Sequence, residues 1–80
     1  MKLYLLSQDE HNGYDVYDSI VVCAKNANAA RQMHPSARKD NSWPNSDSWA
    51  SIPENVHVEY LGIAGSEIEE GIVLASYNAG

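Results

Sequence analysis

The chain has 80 residues, which allow one domain with one hydrophobic core. Its composition, with 44% hydrophobic and 20% charged residues, is that of a folded globular protein and argues against disorder. The net charge of −6 argues against a protein that binds duplex DNA directly, because phosphates would repel it. A core this small gives limited stability, so we expect a homo-oligomer, in which self-association adds buried area.

The cysteine content and the first apolar stretch predict a cytoplasmic protein. Cys23 is the only cysteine and has no partner for a disulfide, which fits a reducing compartment. It lies in the apolar run SIVVCA, so we expect a small buried residue rather than a nucleophile. Leu3 to Leu6 is too short for a signal peptide or a transmembrane helix. No membrane partner is therefore expected.

The first half of the chain predicts a hairpin followed by a short helix. Lys2 to Gln8 and Ser19 to Lys25 have the alternation and β-branched residues of strands, and Asn12-Gly13 between them is a turn signal. The hairpin is predicted over 2–25. Asparagine and alanine residues then predict a helix over about 27–34, which Pro35 ends because the residue before proline avoids the α region.

The second half predicts a long loop and two further strands. Residues 36–53 are dense in Ser, Asn, Asp and Pro and show no periodicity, so they predict a loop. The two tryptophans in this loop, Trp43 and Trp49, are expected to pack somewhere. Residues 55–63 and 72–77 alternate as strands do, and they predict a second hairpin over 55–77.

These elements predict an α+β fold that forms a single domain over 1–80. The order is β-β-α-loop-β-β, with an antiparallel four-stranded sheet. One short helix cannot cover such a sheet. The tryptophan-containing loop is therefore expected to cover part of one face, or a second copy of the chain to do so.

No motif for catalysis is present, and we predict a protein that is not an enzyme. The chain lacks a P-loop, a nucleophile elbow and a zinc-protease motif. The three histidines, His11, His34 and His57, do not have the spacing of metal ligands. We therefore predict no catalytic residues, no metal site and no cofactor.

One stretch combines cations with aromatic rings and predicts a site for a small anionic ligand. Four of the five basic residues lie between 21 and 39, a block without acidic residues. Cations hold phosphate, and aromatic rings stack on a base. The predicted ligand-binding residues are Arg31, His34, Arg38, Lys39, Trp43, Trp49 and Tyr14. The alternative is that the tryptophans fill the core and the cations lie over it.

Acidic turns give a different prediction, that of a protein–protein inhibitor. Acidic residues cluster before the second strand and again at Glu67, Glu69 and Glu70. Such surfaces can occupy the basic groove of a nucleic-acid-binding protein. The alternative is that the acidic residues only keep the protein in solution.

Three segments together resemble small proteins of bacteriophages and prophages. They are MKLYLLSQDE with the following NGYD, YDS and VV; the pattern A-x-x-A-R-x-x-H-P, here Ala27 to Pro35; and VLASYNAG at the end. The resemblance covers most of the chain and implies no catalytic residues. Many compact phage proteins inhibit host defence, either by blocking a defence protein or by sequestering a nucleotide signal.

The residues and the resemblance together give three functional hypotheses. The first is a phage-type anti-defence protein in the host bacterial cytoplasm that sequesters a small nucleotide-derived signal. The second is an acidic inhibitor of a host defence protein or nucleic-acid-binding protein. The third is a small structural or accessory phage subunit whose function is self-assembly.

Overall fold

The computed structural model describes residues 1–11, 13–36, 43 and 48–78. Its elements in chain order are strands β1 (Lys2–Ser7) and β2 (Val16–Ala24), helix α1 (Ala27–Arg31), a 3-10 turn (Pro53–Asn55), and strands β3 (His57–Ile63) and β4 (Gly71–Asn78). The strands form one antiparallel sheet. The predicted α+β class with a four-stranded antiparallel sheet and one short helix is confirmed.

The order of the strands corrects one prediction. β1 and β2 pair as expected, but β3 and β4 do not form a hairpin over 55–77, since the sheet order is β3-β1-β2-β4. The seven residues 64–70 that connect them can reach across the sheet, because they span up to about 23 Å when extended and the two edges are about 14 Å apart. The more apolar hairpin, β1–β2, therefore occupies the centre.

Helix α1 is shorter than predicted but begins where the sequence indicated. The side chain of Asn26 caps it by accepting a hydrogen bond from the backbone N–H of Ala29 at 2.8 Å. The predicted end at residue 34 is wrong, because the helix ends at Arg31. Pro35 disfavours helical backbone at the residue before it, and His34 instead turns its side chain into the core.

One face of the sheet forms the hydrophobic core. Alternate residues of the central strands point to it, including Tyr4 and Leu6 of β1 and Ile20 and Val22 of β2. Helix α1 packs on β1, β2 and β3 on this side. Other parts of the chain complete the core with Ala30, Trp49, Ala50 and Val56. We call this side of the sheet the covered face.

The opposite side is called the open face here. Its residues are set by the register of the four strands and lie in three rows. The rows are Gly62–Leu3–Cys23–Gly71, Glu59–Leu5–Val21–Leu74 and His57–Ser7–Ser19–Ser76. In the first row Cys23 is fully buried, so this row is not exposed to solvent at that residue. The middle row is the apolar centre of the open face.

Candidate interaction surface

Two of the predicted ligand-binding residues lie in the core. Trp49 has no exposed surface and His34 is 1% exposed. Neither ring is accessible for stacking on a ligand or for contacting phosphate, so their predicted roles are corrected. The physical reason is that burying a large tryptophan ring stabilises this small core. A ring buried in the core cannot stack on a ligand.

His34 has a defined environment on the covered side. Its Nδ1 accepts a hydrogen bond from the backbone N–H of Ser36 at 2.9 Å. Its ring packs edge-on against the ring of Trp43, with 4.7 Å between the two ring centroids. Burial lowers the pKa of His34, because desolvation disfavours the imidazolium. Its Nε2 and the Nε1 of Trp49 find no hydrogen-bond partner among the described residues. The ring is therefore a neutral core residue.

The other predicted ligand-binding residues that the structure describes are at least partly exposed. Trp43 is partly buried and donates from Nε1 to the carbonyl of Ala50 at 3.0 Å. Arg31 is partly exposed at the end of α1, and Tyr14 is 73% exposed in the connection between β1 and β2. Arg38 and Lys39 lie outside the described residues. Among the described members, the structure brings Trp43 into contact with His34, whereas Tyr14 lies in the connection between β1 and β2.

The acidic turn before β2 has a structural function at Glu10. Its carboxylate accepts hydrogen bonds from the side chain of Asn55 at 2.6 Å and from the backbone N–H of Ser51 at 3.2 Å. These hydrogen bonds lower the pKa of Glu10, and the one from Asn55 has the largest effect. The contact joins the connection after β1 to the segment that leads into β3. Glu10 is therefore occupied within the fold.

Most of the other carboxylates in the described ranges are exposed. The only contacts of ion-pair distance among the described residues involve histidine, which is charged only when protonated: His11 with Glu10 at 3.9 Å, and His57 with Asp9 at 3.5 Å. Seven exposed carboxylates form no ion pair with a described residue. They are Asp15, Asp18, Glu54, Glu59, Glu67, Glu69 and Glu70.

The middle row of the open face combines apolar side chains with one of these carboxylates. Leu5 and Val21 are partly exposed at its centre, and Leu74 is 66% exposed at its β4 end. Glu59 occupies the β3 end. A run of apolar residues with a charged margin is the usual anatomy of a protein–protein interface.

The connection between β3 and β4 brings more negative charge to the same side. The carbonyl of Ile68 lies 3.8 Å from the Sγ of Cys23, so the connection passes over the row that contains Cys23. Glu67, Glu69 and Glu70 in this connection are exposed. The open face is thus bounded by carboxylates at β3 and at the end of the sheet where the connection crosses.

Strand β4 is the most open strand of the sheet. The helix makes its sheet contacts with β1, β2 and β3, and the outer edge of β4 has no neighbouring strand in the described structure. Ile72, Val73, Leu74 and Tyr77 are each between 43% and 66% exposed. The strand contains no charged residue. Exposed apolar patches of this kind mark sites of association.

The described residues contain no group of three or more His, Cys, Asp or Glu side chains that could hold a metal ion. Over the same ranges, no helix has the length and apolar character needed to cross a membrane. The chain matches no protein-family model, no curated protein and no solved structure. Any functional proposal therefore depends on the surface itself.

The sequence predicted that another part of the protein must cover the sheet, but it did not predict which residues form the open face. The signal was present in β1, where Leu3 and Leu5 alternate with Tyr4 and Leu6 so that both faces are apolar. The predicted hairpin over 55–77 paired β3 with β4, so the importance of this alternation for the open face was not recognised. With β3 and β4 adjacent, Glu59 and Leu74 would not lie in one row across the central strands.

Proposed function

We propose that this protein is a non-enzymatic binding domain that associates through its open face with a basic, partly apolar surface of another protein. The observation that carries the proposal is the middle row of that face, in which Leu5, Val21 and Leu74 are exposed or partly exposed beside Glu59. Burying a leucine side chain contributes about 1.5–3 kcal/mol, so the row contains enough apolar area for an interface centre.

Charge selects the class of partner. The chain carries a net charge of −6, and the acidic residues around the open face lack lysine or arginine partners within the described residues. A basic partner would be attracted during encounter, and its cations would meet the margin of the face. Following the resemblance to phage proteins, we propose a host defence protein or a nucleic-acid-binding protein as the partner.

An amphipathic helical peptide tests this proposal without knowledge of the natural partner. The probe contains leucine along one face and lysine on the others, over about three helical turns, or about 11 residues. A scrambled peptide of the same composition is the control for charge alone. We expect the amphipathic peptide to bind more tightly than the scrambled peptide, with an affinity that falls as salt is added.

Matched variants locate the binding. Leu74→Ser should weaken binding about tenfold, equivalent to about 1.4 kcal/mol. Glu59→Lys should weaken it several-fold and reduce the salt dependence. The controls are Ile63→Ser, at an apolar residue exposed on the other edge, and Glu54→Lys, in the 3-10 turn. Equal binding of the scrambled peptide, or equal loss in the control variants, would remove the support for the open face.

Sequestration of a nucleotide-derived signal is the second proposal, and it now has a narrower basis. Of the described residues predicted for it, Arg31, Trp43 and Tyr14 are at least partly exposed. A fluorescence titration with cyclic, linear and NAD-derived nucleotides should then report through Trp43 and not through buried Trp49. We expect Trp43→Phe to abolish any nucleotide-dependent change; a change that survives in that variant would contradict a site at Trp43.

A further inference from the structure

We propose that two copies of this chain pair through the outer edges of their β4 strands, in antiparallel orientation, and form one continuous eight-stranded sheet. This inference does not depend on the proposed partner of the open face. It follows from a comparison of the two edges of the sheet, from the charge distribution of the chain, and from the symmetry of a strand that pairs with itself.

The two edges of the sheet differ in how well they resist pairing. Edge strands are normally protected by charged side chains, bulges or covering segments. β3 contains Glu59 and His57, and a bulge interrupts its register opposite Leu3 and Tyr4. Both features disfavour the addition of another strand there. β3 is therefore a protected edge.

β4 has much less protection. The ladder between β2 and β4 has two irregularities. Val73 of β4 has no partner between the pairs Val22–Ile72 and Val21–Leu74, and Asp18 of β2 has none between the pairs Tyr17–Tyr77 and Ser19–Ser76. Residues 74–78 of β4 itself are paired consecutively, and they contain neither a charged residue nor proline. An uncharged edge of this kind presents unpaired backbone donors and acceptors to another strand. β4 is therefore the edge at which a strand can be added.

The absence of charged residues along β4 allows a second copy to pair there despite the net charge of the chain. Two molecules of net charge −6 repel each other over most of their surfaces. An antiparallel two-fold arrangement centred on Ser76 brings the uncharged segments together. It keeps the two Glu70 side chains about 40 Å apart, well beyond the Debye length of about 8 Å at physiological ionic strength. The acidic connections therefore do not oppose this contact.

The symmetric arrangement also buries exposed side chains. With Ser76 at the two-fold axis, Tyr77 of each copy lies opposite Ala75 of the other, and Leu74 lies beside the C-terminal end of the facing strand. The open faces of both copies become one surface. Because a short strand edge buries less than the roughly 800 Å² per partner of a standard interface, we expect dimerisation at micromolar concentrations.

Sedimentation equilibrium of the full chain, from about 1 to about 500 μM, tests the dimer over the range of affinity expected for such an interface. The double variant Leu74→Lys, Ser76→Lys places four lysines across the proposed two-fold axis and should weaken dimerisation at least tenfold. The control, Leu61→Lys with Ile63→Lys, introduces the same charge at exposed residues of β3. It should leave the dimer unchanged, and circular dichroism checks that both variants fold.

Spin-label distances then distinguish the arrangement. A label at Ser76→Cys should give a distance under about 20 Å, because opposed Cα atoms of an antiparallel pair are about 5 Å apart. A label at Glu59→Cys should give about 34 Å, which is seven strand spacings across the dimer. Buried Cys23 is replaced by alanine in both. A chain that stays monomeric, equal disruption by the β3 control, or a short distance at residue 59 would overturn the proposal.

Discussion

The two faces of the sheet show how neighbouring residues with the same chemistry reach different environments. Leu5 and Leu6 are adjacent on β1, but Leu6 has no exposed surface and Leu5 is only partly buried. Leu6 points to the face that the helix and Trp49 cover, and Leu5 points to the face on which no described helix packs. The buried core of the described residues therefore lies on the covered face, and the proposed association uses the open face.

The largest expected effect is the loss of Trp49. Trp49→Ala should lower the free energy of unfolding by about 3–5 kcal/mol, which for a domain this small is a large part of the total. The physical reason is the cavity left in the core. Urea denaturation measures it, with Trp43→Ala as the comparison at a partly buried ring. A loss at Trp49 no larger than that at Trp43 would contradict its position in the core.

A matched pair on β1 measures the difference between the faces directly. Leu6→Ala should cost about 2–5 kcal/mol, whereas Leu5→Ala should cost less, about 1–2 kcal/mol, because less of its surface is buried. Denaturant midpoints of the two variants provide the comparison. Equal costs would mean that the open face is covered as thoroughly as the other.

A smaller effect is expected at the cap of the helix that covers the sheet. Asn26→Ala removes the acceptor for the backbone N–H of Ala29 and should cost about 1 kcal/mol. Asn26→Ser retains a capping oxygen and should restore most of the stability. Thermal unfolding of both variants distinguishes a lost cap from a general effect of substitution at residue 26.

The smallest effect is expected from the titration of His34. Because burial lowers its pKa in the folded chain, the unfolded chain binds a proton more readily below its ordinary pKa of about 6.5. Stability should be unaffected by this group above that pH and should fall as the pH decreases through it. His34→Asn, whose oxygen can still accept from Ser36, should flatten this part of the profile between about pH 7.5 and 5.5. An unchanged slope would show that His34 is not its source.

The sequence predicted local structure better than it predicted arrangement. An asparagine cap at residue 26 or 28, the alternation in β1 and the packing of the tryptophans all follow from short-range patterns. In the structure Asn26 is the cap, and Trp49 is fully buried. The separation of β3 from β4 depends on which strands compete for the central positions, and spacing along the chain does not reveal that. The predicted pairing of β3 with β4 was therefore wrong.

The candidate site was harder to predict for a related reason. Arginine, histidine and tryptophan close together along the chain suggested one ligand site, but burial divides them between core and surface, as His34 and Trp49 show. The open face consists of residues far apart in the sequence, such as Leu5, Val21 and Leu74, and only the register of the strands brings them into one row.

Methyl-resolved NMR of the leucine- and valine-labelled chain distinguishes the two faces residue by residue. On addition of the basic amphipathic peptide, we predict shifts at the methyl groups of Leu5, Val21 and Leu74 and little change at Leu6 and Val22, whose side chains lie in the core. Shifts concentrated at Leu6 and Val22, or equal shifts on both faces, would contradict association through the open face.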